Sequence, residues 1–276
     1  MSKIKLAIIV FILVLIAIMS KGYMMYQAMT PTPITFWQAS NNDNKAAISH
    51  QLWAEILKEY LSEGAMESVR TFDYKRVIEQ DKTKLNNYLK YLQNIDPRDY
   101  PKNEQLAYWS NLYNALTIDI ILKHYPIDSI KDIGDGFTGP WNIELATVAN
   151  KSLTLNQIEH GILRGLWKDN RVHYVINCAS VGCPDLPEKP LTGSNIEQQL
   201  NTAATRFINQ SKGVKFNGNN LVLSSIYHWF SVDFGDNEQQ LLLHLNQYAK
   251  PALKENIDEF KSAITYDYNW KLNAPK

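Results

Sequence analysis

Both cysteines of this chain fall in one stretch, residues 170–184, which reads NRVHYVINCASVGCP. Cys178 closes a strand-like run, and the small or apolar residues ASVG lead to Cys183 and Pro184. Small residues let a backbone turn sharply and aim its amides at a ligand. A thiolate in such a turn, with an imidazole in reach, is a nucleophile of the Cys-His kind. His173 and His160 are the candidate bases. In a regular strand His173, Val175 and Asn177 face one way and Cys178 the other, which brings His160 into play. Glu159 or Asn177 would orient the imidazole, and the amides of 179–183 would hold an oxyanion. Three other readings of the cysteines stay open: a short disulfide, buried packing, and a zinc clip, for which Cys-x4-Cys is a weak signal.

Two helices must position these groups. PKNEQLAYWSNLYNALTIDIILKHYP, between Pro101 and Pro126, is apolar nearly all round and therefore central. It buries Asn111 and Asn114, which must hydrogen-bond neighbouring backbone or line a site wall. TLNQIEHGILRGLW opens with a capping box, Thr154-x-x-Gln157. Its apolar stripe is Leu155, Ile158, Ile162 and Leu166, and Glu159 falls within about 60° of the stripe's middle at the α-helical step. A carboxylate there must be paired or hold its proton. His160 and Arg164, spaced i and i+4, share the opposite side and can touch.

The remaining elements read as helices over 46–62, 83–93 and 195–209. Hairpins are expected around Asn150-Lys151 and Asn217-Gly218, with VHYVIN as a buried strand. Two short helices and a last strand near 263–266 complete the chain. No strand-helix alternation recurs, so the class is α+β: one helix-rich domain with a small, mostly antiparallel sheet. His50, His124 and His244 fall on predicted helix surfaces or ends and carry no role.

Lys and Arg number 28, as do Asp and Glu, so no basic field points to nucleic acid. The loop GDGFTGP (134–140) lacks the lysine of a phosphate-binding loop, and no cofactor motif is visible. At the N-terminus Lys3 and Lys5 precede fourteen uninterrupted apolar residues, Leu6 to Met19. Residues 1–26 thus read as a signal peptide or membrane anchor, and the run is shorter than the roughly 20 residues of a typical spanning helix. Residues 27–45 carry two prolines and a polar cluster and read as a tether, with the globular domain over 46–276. The expected location is exported: periplasmic or cell-envelope, anchored or secreted.

The motifs YWSNLYNALTIDIILKHYP, SLTLNQIEHGILR, RVHYVINCASVGCPDL, LSSIYHWFSVDF and DYNWKLN occur in this order. The chain resembles the family called domain of unknown function 547 over roughly residues 85–273. The resemblance marks Asn111, Asn114, Glu159, His160, Arg164, Arg171, His173, Asn177, Cys178, Cys183, Trp229, Asp233 and Trp270 as matching positions. Asn269 stands where the family usually has aspartate, Asn170 where it often has proline, and Gly182 where it often has serine. The layout is loosely similar to papain-like and transglutaminase-like folds, where a central helix packs on a sheet carrying a histidine. The leading expectation is a thiol-centred hydrolase or acyl-transferase site, with Cys178, His173, His160, Glu159 and Asn177 catalytic. Asn111, Asn114, Arg164, Arg171 and Cys183 would bind a small molecule or an envelope component. The alternative is a non-catalytic cell-envelope binding or scaffold module with structural cysteines.

Overall fold

The computed structural model describes residues 30–62, 68–134, 139–235 and 237–275. The apolar run from Leu6 to Met19, and the signal or anchor reading of 1–26, lie outside the described residues. Among the described residues no helix is long and apolar enough to cross a membrane.

Helix α1 (Gln51–Tyr60) packs on α2 (Glu79–Gln93), which packs on α3 (Lys102–His124). The sequence of α3 demands a central position, and it has one: nearly every residue from Glu104 to Ile121 is buried. Residues 30–45, expected as a tether, lie against this body. Trp37 is buried with its ring 4.9 Å from that of Trp109, and the Ile34 amide donates to the Gly161 carbonyl at 2.8 Å. Gly161 makes that approach feasible, since a Cβ there would sit 2.5 Å from the Ile34 side chain.

Strands β1 (Glu144–Val148) and β2 (Lys151–Thr154) form the first hairpin, antiparallel, with Ala149 and Asn150 at positive φ in its turn. The capping box is reciprocal: Gln157 N donates to Thr154 Oγ1 at 3.1 Å, and Thr154 N donates to Gln157 Oε1 at 2.9 Å. The helix it opens, Gln157–Trp167, is a π-helix. After the cysteine turn comes α4 (Ile196–Ile208), then the second hairpin, β3 (Val214–Asn217) with β4 (Asn220–Ser224). Four helical segments follow rather than two: α5 (Ile226–Trp229), α6 (Ser231–Phe234), α7 (Glu238–Tyr248) and α8 (Pro251–Glu259). Strand β5 (Ile264–Asp267) then joins β4 in parallel.

The class is α+β, helix-rich with small sheets. Among the described residues the sheets are two and none of their strands carries a histidine, so no histidine-bearing sheet lies under the central helix there. VHYVIN is not a strand. Residues Asn170–Tyr174 make a tight 3-10 turn, because Asp169 caps it by accepting from Arg171 N at 2.9 Å. Its burial comes from helices on either side: Asn114 on α3 donates to the Val175 carbonyl at 2.8 Å, and α4 packs on the turn.

His50 is buried, not on a helix surface, and its Nδ1 lies 2.6 Å from the Tyr88 hydroxyl. Burial lowers its pKa to about 4, and does the same to half-buried His244. The unfolded chain therefore takes up these protons first on acidification, so stability is complete above the ordinary histidine range and is lost as pH falls through it toward about 4. Between about pH 7 and pH 5 the loss should be about 2 kcal/mol per histidine. Melting temperatures at the two pH values check this: His50→Gln should show a smaller drop than wild type, and an equal drop rejects the assignment.

Candidate functional site

A cavity of about 200 Å³ opens at the seam between two hydrophobic cores. One core surrounds α1–α3 and the π-helix, and the other surrounds α4, β3, β4 and α7. The π-helix contributes Glu159 and His160 to the wall, the cysteine turn contributes Cys178 and Cys183, and the 3-10 turn contributes His173. Trp141, Trp229, Phe230, Tyr268 and Trp270 supply aromatic surface. The catalytic candidates Cys178, His173, His160 and Glu159 thus share one cavity, although no regular strand connects His173 to Cys178.

The turn itself is held on every side. Asn177 is buried and accepts from the Ala179 amide at 2.8 Å, donates to the Pro184 carbonyl at 2.6 Å, and gives its own amide to Asn114 Oδ1 at 2.8 Å. These bonds hold Ala179 in the left-handed region, φ 60°, where an L side chain costs about 1–2 kcal/mol. Asn177 therefore positions the thiol and does not orient a histidine. Asn111 clamps Leu191 through both its amide atoms, at 2.7 and 3.1 Å. Asn111 and Asn114 are buried away from the cavity wall and lock the chain around it.

Both cysteines are free, with Cys183 buried and Cys178 half-buried. The Cys178 sulfur lies 2.9 Å from that of Cys183, 3.2 Å from Ser180 Oγ and 3.1 Å from Tyr268 Oη. Thiol donation from Cys183, aided by the Ser180 and Tyr268 hydroxyls, lowers the Cys178 pKa to about 7 against the cost of burial. Burial pushes the Cys183 thiol up. No imidazole is among the hydrogen-bond partners of Cys178, so hydroxyls take the part expected of a histidine. Four of the five loop amides of 179–183 are already engaged. Those of Ala179, Val181, Gly182 and Cys183 donate to Asn177, Lys271, Asn269 and Ser180 respectively. Among the described residues no His, Cys, Asp and Glu cluster could hold a metal ion.

The π-helix departs from the expected helix phase. Its wider turn buries Leu163 completely and leaves Leu166 half-buried, the reverse of the α-helical stripe. His160 and Arg164 do meet, Nδ1 to Nη1 at 3.1 Å, but Arg164 is buried. It donates from Nε to Asp233 Oδ2 at 2.5 Å, and the same oxygen pairs with His173 Nε2 at 2.7 Å. Burial works against the Asp233 carboxylate, yet His173 and Arg164 together hold its pKa below the ordinary value. Burial, opposed by nearby Glu159, lowers the His160 pKa and keeps its ring neutral at neutral pH. Glu159 is buried, but its partner is a neutral hydroxyl: Tyr113 donates to Oε2 at 2.9 Å, while His160 Nδ1 stands 3.8 Å from Oε1. Arg171 belongs elsewhere, pairing with Asp169 and Glu197 outside the cavity wall.

Sequence reasoning passed over Tyr113, Tyr268 and Asp185. Tyr268 sits inside a quoted motif, but nothing in its spacing ties it to Cys178. The bridge between Ser180 and Leu272 brings the C-terminal segment across the turn.

Residues 97–208 match a family model described as protein of unknown function, DUF547. The matched segment contains α3, the π-helix and both cysteines, while Trp229, Asp233, Tyr268 and Trp270 come from beyond it. No curated protein and no solved structure matches the chain.

Proposed function

The chain carries a DUF547 domain, and from that premise we propose that it is a thiol-dependent hydrolase or acyl-transferase acting through Cys178. The observation that carries this reading is the half-buried Cys178 thiol, drawn toward neutral pKa, in a cavity shared with His160, His173 and Glu159. Ionisation passes the thiol proton across the cavity to His160. The thiolate attacks an acyl carbon and forms a C–S bond, and the leaving group departs with the His160 proton. Water or an acceptor nucleophile then gives a proton to His160 and attacks the thioester, releasing Cys178. The Tyr268 and Ser180 hydroxyls, freed as sulfur loses its charge, would donate to a developing oxyanion, since four of the five loop amides are engaged. Exported placement rests on the apolar N-terminus alone.

The absence of an imidazole contact to Cys178 favours a second reading, a cell-envelope binding or scaffold module. Alkylation separates the two. Folded, reduced protein should alkylate at Cys178 before Cys183, with a rate that rises through about pH 7. Tyr268→Phe should shift that profile upward, because it removes a donor to the thiolate. Slow alkylation at both cysteines, unaffected by Tyr268→Phe, would defeat the enzyme reading.

A further inference from the structure

Among the described residues the cavity wall contains a carboxylate and a thiol but no lysine or arginine. Arg164 stands behind Phe230, 4.7 Å from its ring, and its charge is committed to Asp233. Glu159 is 7% exposed; its Oε2 accepts from Tyr113, while among the described residues Oε1 accepts no hydrogen bond and has His160 at 3.8 Å. A buried carboxylate with unused acceptor capacity gains most from a cation, because little water is present to screen the pair. Half-buried aromatic rings share the cavity wall with Glu159. The Trp229, Tyr268 and Trp270 centroids lie 4.7 to 5.5 Å from one another, and Trp141 lies 5.9 Å from Trp270. Trp270 already takes a cation: the Lys131 ammonium, which does not line the cavity, lies 5.0 Å from its ring. Aromatic faces that can hold a cation, beside a carboxylate, are the recognition chemistry of alkylammonium groups.

We propose that this cavity selects substrates bearing a small alkylammonium group, held against Trp229, Tyr268 and Trp270 and neutralised by Glu159. This rests on the thiol-enzyme reading for the word substrate, and the binding itself is separable from it. Cys178→Ser protein, which lacks the proposed nucleophile, is titrated with choline, with tetramethylammonium, and with uncharged tert-butanol, following tryptophan fluorescence. Saturable binding of the cations is expected, with tert-butanol weaker by about tenfold or more. Glu159→Gln, which keeps an acceptor for Tyr113, and Trp229→Leu should each weaken cation binding by about tenfold or more at unchanged melting temperature. Should a melting temperature fall, the same titration is repeated at a temperature where the variant is folded. Binding indifferent to charge, indifferent to Glu159→Gln, or absent for both cations overturns the proposal. Failure of Cys178 to alkylate would sink the enzyme reading and leave this result standing.

Discussion

Asp185→Ala should destabilise the protein by about 3–5 kcal/mol, the cost of stripping a buried charge network of its central partner. Asp185 is buried, and its two oxygens serve four donors. Oδ1 accepts from Lys212 Nζ at 2.6 Å and from the Arg70 amide at 3.2 Å. Oδ2 accepts from Arg206 Nε at 2.6 Å and from Gln210 Nε2 at 2.8 Å. The Arg206 and Lys212 side chains are each 9% exposed, so water cannot replace the lost carboxylate. Burial alone would raise the Asp185 pKa, but Lys212, then Gln210 and Arg206, hold it below the ordinary carboxylate value. Its stabilisation is therefore present above that ordinary value and is lost as pH falls through the depressed one. The network matters to the site because Asp185 follows Cys183-Pro184, and Lys212 also donates to the Cys183 carbonyl at 2.5 Å. Thermal unfolding of Asp185→Ala beside Asp185→Leu/Arg206→Met/Lys212→Met provides the check, the triple variant being the more stable. A single variant within about 1 kcal/mol of wild type would show the network to be solvated.

The parts of this fold legible in the sequence are those whose signals are local. The all-round apolarity of α3, the Thr154/Gln157 capping box and the two hairpin turns each depend on residues within a few positions, and each is present. VHYVIN misleads because apolarity reports burial and not conformation: Asp169 winds the backbone, and helices, not strands, cover it. The phase of the π-helix was illegible for a related reason. A 100° step is an assumption about hydrogen bonding, and a wider turn moves Arg164 from the expected outer side to the interior. Cys178, His160, His173 and Glu159 could be gathered as candidates by residue type, since few side chains do such chemistry. Their partners could not. Tyr268 reaches Cys178 from ninety residues away, and Asp233 reaches His173 from sixty.

Asp233→Ala should cost about 3 kcal/mol or more, since one carboxylate oxygen joins the π-helix to the 3-10 turn. That oxygen meets the Nε of Arg164, whose side chain is 0% exposed, and the Nε2 of His173, which is 2% exposed. Phe230 closes the arrangement, stacked on His173 at 4.5 Å with the Arg164 guanidinium on its ring. Losing the carboxylate leaves a buried guanidinium less well compensated and a histidine without the anion that fixes its ring. Asp233→Asn keeps an acceptor but not the charge, so it should fall between wild type and alanine in melting temperature. Asp233 does not line the cavity and does not touch Cys178. At a temperature where each variant is folded, Cys178 alkylation should therefore stay within about threefold of wild type, the thiolate being set by its own donors. An acyl-transfer step that needs a fixed His173 would fall much further than alkylation does. If alkylation instead collapses in Asp233→Asn while the fold persists, the thiol draws on the His173–Asp233 pair, and its activation would have to be reassigned from Tyr268 and Ser180 to that pair.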